Sequence, residues 1–561
     1  MRNATSWKGL CRVLTRKFLL LASIGSTLYG PLAQGFEIAT EDPDLTLRWD
    51  NTVKYNAVWR QENPSAILVN SRTLTDNQDD GDRNFNKGLI SNRVDLFSEF
   101  EATYKSFGVR LSGAAWYDDV YNQANDNSSA ATVNSRSVAP NQFTAKAVKV
   151  HGRDSELLDA FVFGKTQLAD MPTSFRIGQY SLLWGETLFF GNNGISGTQA
   201  AVNVVKLASV PNSTFKELIL PDKQISGQLQ INPELSIDAY YKLSWVENRL
   251  PVAGSYFAST DIINGGERIF TSGAPFPSGA PRALFRTSDL KAKNSGQGGI
   301  QIKWHPGDLD LGAYAVKYHD RNPSIYQYGG VGVSPVTGQI GLYQLVYPED
   351  ISAYGVSAGR SFGAMAIAIE ASVRHNATLV SDPQQVVATT AADNNANPRY
   401  AVGNTGHVNV SMMWNMGPNP VANEAMLMGE LAWNRRLSVI RNPDAIAALT
   451  ERDAWGMRFV YTPIYRQVLP GVDLSVPTGF SYFPKGKSSA VPNFGVNHGG
   501  DFSIGVEASY LDQWRLSLNY THFYGDEGTY LTLSPKGGPT FSFNQALKDR
   551  DLIALSIRRT F

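Results

Sequence analysis

A single cysteine, Cys11, is all the thiol that this chain of 561 residues carries. It stands before the N-terminal apolar run, whereas a lipid-anchoring cysteine would follow such a run, so Cys11 is no lipoprotein anchor. A chain shortened past that run has no thiol left, which excludes a disulfide framework, a cysteine metal ligand and a cysteine nucleophile. Long apolar runs are scarce as well. Beyond the N-terminus no stretch supplies the ~20 apolar residues of a membrane-spanning helix. An excess of one charge is also missing: 50 basic side chains face 50 acidic ones, which argues against a dedicated nucleic-acid binder. If this chain crosses a bilayer, it does so with strands.

The N-terminus reads as an address. Arg2, Lys8, Arg12, Arg16 and Lys17 precede an apolar run from Phe18 to about Leu28, and Ala33 and Gly35 suit the positions before a cleavage point. Residues 1–35 are expected to be a signal peptide, with the mature chain starting at Phe36 and residues 36–561 forming one domain.

The remainder alternates. In the last segment Ile553, Leu555, Ile557 and Phe561 fall on one face and Ala554, Ser556, Arg558 and Thr560 on the other, and the chain stops on the aromatic residue. The same period of two recurs from Leu45–Arg60 onward, as in half-buried strands. The segments number about 18, within 16–18, and short links alternate with long ones. The predicted fold is all-β: a transmembrane, antiparallel, up-and-down β-barrel with short periplasmic turns and long extracellular loops, some folded into the lumen. Such a barrel belongs in the outer membrane of a Gram-negative bacterium. Its expected partners are outer-membrane lipid and lipopolysaccharide, and the barrel-assembly machinery acting on the C-terminal strand that ends in Phe561.

Alternation also assigns lumen faces. Arg48, Lys54, Arg93, Glu99, Glu370, Arg374, Glu430, Arg458, Glu507, Arg515 and Arg558 are the pore-lining candidates. Both signs are present, where a selective ion pore would line up one. The mixture points to ion-pair networks that stiffen a partly filled barrel. Arg559 falls on the lipid side and is expected to snorkel toward headgroups.

Two long loops are unusually apolar. Phe189 and Phe190 follow Trp184, and the next long loop carries Tyr256, Phe257, Phe270 and Phe276. Exposed, that much apolar area would be an aggregation liability, so both loops are predicted to fold inward as a constriction or lid. The acidic run at Asp79, Asp80 and Asp82 around Gly81 is a weak Ca²⁺ candidate, since the late bidentate Glu of an EF-hand is absent. A solvated turn, or pairing with Arg83 and neighbouring loops, explains it better, and no metal or cofactor is expected. Catalysis has little support. His319, Asp320 and Ser324 are near in sequence, but no G-x-S-x-G elbow exists and Gly194-Ile195-Ser196-Gly197 does not match one.

Motifs in order along the chain carry a resemblance. Asn77-Gln78-Asp79-Asp80-Gly81-Asp82-Arg83-Asn84-Phe85, Arg176-Ile177-Gly178-Gln179 with Trp184-Gly185-Glu186, and Gly254-Ser255-Tyr256-Phe257 leading to Asp261 come first. Tyr318-His319-Asp320-Arg321, Tyr347-Pro348-Glu349-Asp350 and Lys548-Asp549-Arg550-Asp551 follow. Together they resemble the domain-of-unknown-function 1302 family of Gram-negative outer-membrane proteins. That resemblance implies traffic in hydrophobic or amphipathic compounds, with a periplasmic lipoprotein-carrier-like protein and an inner-membrane transporter as partners. The favoured expectation is passive passage of such molecules through a loop-constricted lumen. The alternatives are a general or substrate-specific porin for polar solutes, and a non-transporting structural protein.

Overall fold

The computed structural model describes residues 36–69, 75–211 and 213–561. The expected signal peptide lies outside them. Eighteen antiparallel strands form one closed sheet. They are β1 (Leu45–Arg60), β2 (Gly88–Tyr104), β3 (Phe107–Asp118), β4 (Arg153–Leu168), β5 (Met171–Tyr180) and β6 (Asp222–Asn232). Next come β7 (Leu235–Lys242), β8 (Gly298–Trp304), β9 (Leu309–Tyr318), β10 (Ile351–Phe362), β11 (Met365–Thr378) and β12 (Val402–Met416). The last are β13 (Glu424–Arg441), β14 (Asp453–Leu469), β15 (Val472–Ser475 and Thr478–Lys485), β16 (Gly500–Tyr510), β17 (Trp514–Tyr524) and β18 (Leu552–Thr560). The sheet closes where β18 pairs with both β17 and β1, with Lys54 opposite Arg558. The expected lumen neighbourhood of Arg558 and Lys54 is therefore a direct pairing. Phe561 extends the seam, exchanging backbone hydrogen bonds with Asn51. β15 breaks at Pro477, which has no N–H to give to a central ladder.

Alternation sorts the two faces. On β11, Glu370 is 2% exposed while its neighbour Ile369 is 48% exposed. Leu96, Val162, Ile177, Ile225, Ile302 and Leu518 are exposed in the same way on other strands. Such a band suits lipid. Near the short turns Tyr104, Phe107, Trp304, Trp414, Tyr510 and Trp514 are exposed, an interfacial aromatic girdle. Arg559 lies in that girdle, its guanidinium 4.9 Å from the ring centre of Trp514 and 5.9 Å from that of Phe561. Cation–π contact thus holds the charge the sequence placed on the lipid side.

The turns at 105–106, 169–170 and 511–513 are tight enough to hold Lys105, Ala169, Asp170, Leu511 and Asp512 at positive φ. Nine long loops, L1–L9, occupy the opposite, extracellular end: 61–87, 119–152, 181–221, 243–297, 319–350, 379–401, 442–452, 486–499 and 525–551. They are more ordered than a loop reading allows. Arg268–Phe270 and Ala283–Arg286 of L4, Ser324–Ser334 and Gln339–Val346 of L5, and Gln384–Gln385 of L6 build a second, five-stranded sheet. L4 is accordingly divided. Val252 and Tyr256 pack on Val58, Leu552 and Ala554 at the top of the wall, while Phe270 belongs to the outer sheet and Phe276 to a turn closed by its N–H on the Ala280 carbonyl.

Candidate functional site: a lumen crossed by its own loop

L3 lies inside the barrel, and wall carboxylates hold it there. Glu430 on β13 accepts the backbone N–H groups of Leu188 (3.1 Å), Phe189 and Phe190 (2.9 Å) on one oxygen. Its other oxygen accepts the Asn409 amide at 2.7 Å. Glu370 on β11 accepts the N–H groups of Glu186 at 2.8 Å and Ile195 at 2.6 Å. Arg374 donates to the carbonyls of Asn192 and Gly194 at 2.7 and 3.0 Å. Gly185 sits at φ +101° and a Cβ there would strike the Glu370 carboxylate, so only glycine admits this approach.

The loop then reaches the far wall. Asn203 caps the helix Val204–Ser209, accepting the Lys206 N–H, and Thr214 and Glu217 form a capping box on Phe215–Leu218. Those short helices deliver Glu217 to Lys54 of β1 at 3.3 Å and Lys216 to Glu99 of β2 at 3.0 Å. β11 and β13 lie about halfway round the closed sheet from β1 and β2, so L3 crosses the lumen. Within residues 200–210 the helix is Val204–Ser209.

Most remaining pore-lining candidates sit in ion pairs. Arg48 pairs with Asp50 (2.7 Å), Arg93 with Asp95 (2.8 Å), Arg458 with Asp501 (3.1 Å) and Arg515 with Glu507 (3.7 Å). Arg558 stands between Lys54 and Arg515 in register. Phe189 and Phe190 pack on the wall next to β13: Arg458 of β14 lies 5.7 Å from the Phe189 ring centre, and Phe190 packs against Phe483 of β15 and Phe494 of L8 at 5.9 Å each. Tyr256, with Phe257 edge-on at 5.0 Å, is buried between Phe85, Tyr121 and the guanidinium groups of Arg60 and Arg550. These two do not meet Phe189 or Phe190.

One cavity borders the loop, and a second among the extracellular loops shares part of its wall. One, of about 650 Å³, is lined by Leu188, Phe190, Leu207, Phe215, Phe483 and Phe494 among others. The other, of about 300 Å³ among L4, L5, L6, L8 and L9, is lined by Ile262, Ile325, Leu379, Val496, Leu531 and Phe541 among others. Leu250, Asn322, Pro492 and Asn493 line both. A third cavity of about 300 Å³, nearer the short turns, is more polar, with Lys303, His305, Asp310 and Arg360 in its wall. Leu188 borders this one and the 650 Å³ cavity.

The acidic motif turns out to be buried rather than solvated. Asp82 receives two bonds from Arg550, at 2.9 and 2.8 Å, and one from Arg60 at 3.0 Å. Arg60 also bridges to Asp549 at 2.7 Å. Asn77 exchanges two bonds with the Phe270 backbone, Asn84 reaches the Gly254 carbonyl, and Gln78 reaches the Leu531 carbonyl. L1 is therefore a hub that joins L4 and L9. Gly81 packs so closely that a Cβ would lie 2.7 Å from the carbonyl oxygens of both Ser255 and Ala258. The weak Ca²⁺ candidate needs correction on this geometry. Asp82 is committed to arginines, and Asp261 of L4 joins Asp79 and Asp80 instead. Burial, then the charge of Asp261, holds Asp79 up to about 8; burial raises Asp80 and Asp261 as well. In sequence, Asp261 was visible only as the end of the Gly254-Ser255-Tyr256-Phe257 motif, with nothing there to pair it with Asp79 and Asp80.

His319 is a rim residue, as expected: its ring nitrogens meet the Ser295 carbonyl and the Asp350 N–H, each at 3.0 Å. That geometry ties the ring to loop backbone on both sides.

A closed barrel with a lipid-suited belt, an aromatic girdle and one loop drawn across its interior defines a Gram-negative outer-membrane β-barrel protein. The chain belongs to the family described as protein of unknown function, DUF1302, which it matches over residues 16–561. No curated protein matches it. Among solved structures it is similar to OccAB1 of Acinetobacter baumannii, at 10% identity and a TM-score of 0.41 over 92% of this chain and 96% of that one. It is similar also to OpdK of Pseudomonas aeruginosa, solved with vanillate, at 10% identity and 0.38 over 91% and 98%. The outer-membrane channel DcaP of Acinetobacter baumannii stands at 9% identity and 0.37 over 94% and 100%. No residue role carries across at such identity.

Proposed function

We propose that this protein is an outer-membrane channel for passive passage of hydrophobic or amphipathic small molecules, with L3 constricting the lumen. The observation that carries this reading is the pair of apolar-walled cavities, one among the extracellular loops and one against L3, that share Leu250, Asn322, Pro492 and Asn493 in their walls. An apolar solute partitions into such a path because its transfer out of water is favourable, at roughly 25 cal/mol per Å² of apolar surface covered. A strongly hydrated ion gains nothing there and meets L3 below. Leu188, on the border between the apolar and polar cavities, marks the step a solute takes toward the periplasm. Buried ion pairs and the Glu370 and Glu430 anchors serve on this reading to hold the constriction, not to select ions.

The test pairs bilayer recordings with growth of a deletion strain on hydrophobic carbon sources. Near-silence to ions, together with a growth defect rescued by the wild type but not by Phe494→Asp, is the expected result. Large, steady ion steps from the wild type would favour an open porin for polar solutes. Neither conductance nor any solute-dependent growth defect would favour a non-transporting protein.

A further inference from the structure

Asp79 and Asp80 of L1 and Asp261 of L4 place carboxylate oxygens within 4.8 Å of one another, and all three side chains are buried. Asp79 and Asp80 are only partly used, while both oxygens of Asp261 accept a backbone N–H. Asp79 takes the Arg83 Nε–H at 2.6 Å, and Asp80 takes the Val133 N–H at 3.0 Å, both through Oδ2. Asp261 takes the N–H groups of Asp80 at 3.0 Å and Gly254 at 3.2 Å. Oδ1 of Asp79 and Oδ1 of Asp80 have no hydrogen-bond partner, although Asp79 is 0% and Asp80 is 1% exposed. An orphaned buried carboxylate oxygen costs free energy, and two of them beside a third carboxylate cost more.

The surrounding cations do not answer this. Arg83 is bonded to Asp79 alone among the three. Arg550 puts its guanidinium on Asp82 and on the Tyr256 and Ala258 carbonyls, and Arg268 puts its own on the Thr132 carbonyl and Ser135. Asp76 adds another negative charge within reach of Asp79.

We propose that Asp79, Asp80 and Asp261 bind one divalent cation, Ca²⁺, which clasps L1 to L4 at the extracellular end of the barrel. Ca²⁺ takes oxygen ligands at ~2.3–2.6 Å in flexible geometry, so opposite ligands of one ion stand ~4.6–5.2 Å apart. That span covers the separations here. Mg²⁺ prefers to keep several waters, which a pocket this buried does not welcome. The clasp goes beyond the channel reading and does not depend on it, because it joins loops and requires no flux.

Calorimetry on the folded protein in micelles, stripped with EDTA, tests it. Titration with CaCl₂ is expected to give one site per chain, with MgCl₂ at least about tenfold weaker. Asp80→Asn with Asp261→Asn, both near-isosteric, is expected to weaken Ca²⁺ by at least about tenfold, while Asp444→Asn, exposed in L7, binds as the wild type does. A second measurement needs no variant: Ca²⁺ is expected to slow amide exchange over residues 77–84 and 252–262 relative to EDTA. Absence of a Ca²⁺ heat in the wild type, or equal Ca²⁺ binding by the double variant, would overturn the proposal. Protection of those residues by acid alone, with no Ca²⁺ effect at any pH, would overturn it too and assign the triad to shared protons.

Discussion

The loop inside the lumen and the hub above it are fastened differently. On the β11–β13 wall L3 is held through its main chain, where Glu370 and Glu430 accept backbone N–H groups, five in all, and only at the far wall through the side chains of Lys216 and Glu217. The L1 hub is held chiefly through its own side chains, Asp82 on Arg550 and Arg60, and Asn77, Gln78 and Asn84 on neighbouring backbone. A main-chain tether leaves the loop's side chains free to vary and to line a path. A side-chain tether fixes the residue at nearly every position. The first arrangement suits a surface that meets a solute, and the second suits a joint.

Breaking the joint should have the largest effect. Arg550→Ala removes the bidentate partner of a buried carboxylate, a loss of about 3–5 kcal/mol. Limited proteolysis is expected to open L1 and L9 while the strands stay resistant, and an unchanged cleavage pattern would count against the hub. Glu430→Ala strands part-buried donors at residues 188–190 and should cost about 1–3 kcal/mol locally. Amide exchange at those residues is expected to rise about 10–100-fold, with larger single-channel currents if L3 is the barrier. Gly81→Ala, pressed against two carbonyls, should lower the unfolding free energy by about 1–2 kcal/mol, read from the denaturation midpoint of the extracellular loops. Arg48→Ala, which removes an exposed pair with Asp50, should change stability by only about 0–1 kcal/mol, and a larger shift in urea unfolding would contradict that ranking.

The same contrast explains what the sequence disclosed. Every barrel strand was legible, because a wall between lipid and a polar interior forces alternation, and the missing ladder donor at Pro477 is the sole break within β15. The acidic motif was legible as a motif, since its side chains carry the bonds. Glu370 and Glu430 were legible as inward charges but not as anchors, because the groups they bind are backbone N–H groups that no residue type announces. The hairpin within L5 was hidden too. Ser324–Ser334 carries Gly329, Gly330 and Gly332, and its partners in L4 and L6 are set by tertiary contact rather than by local pattern. Asp261 joins Asp79 and Asp80 across some 180 residues, a pairing that only the folded loops reveal.

The hub also joins the two ends of the strand order. Arg60 ends the first strand and Asp549 and Arg550 lead into the last, yet Asp82 bonds both arginines, across 22 and 468 residues respectively. Arg60 comes from β1 and Arg550 from the run into β18, so the three-way joint on Asp82 is complete only where those two strands lie side by side. The hub of the extracellular loops and the seam of the barrel are thus one structure seen from two sides.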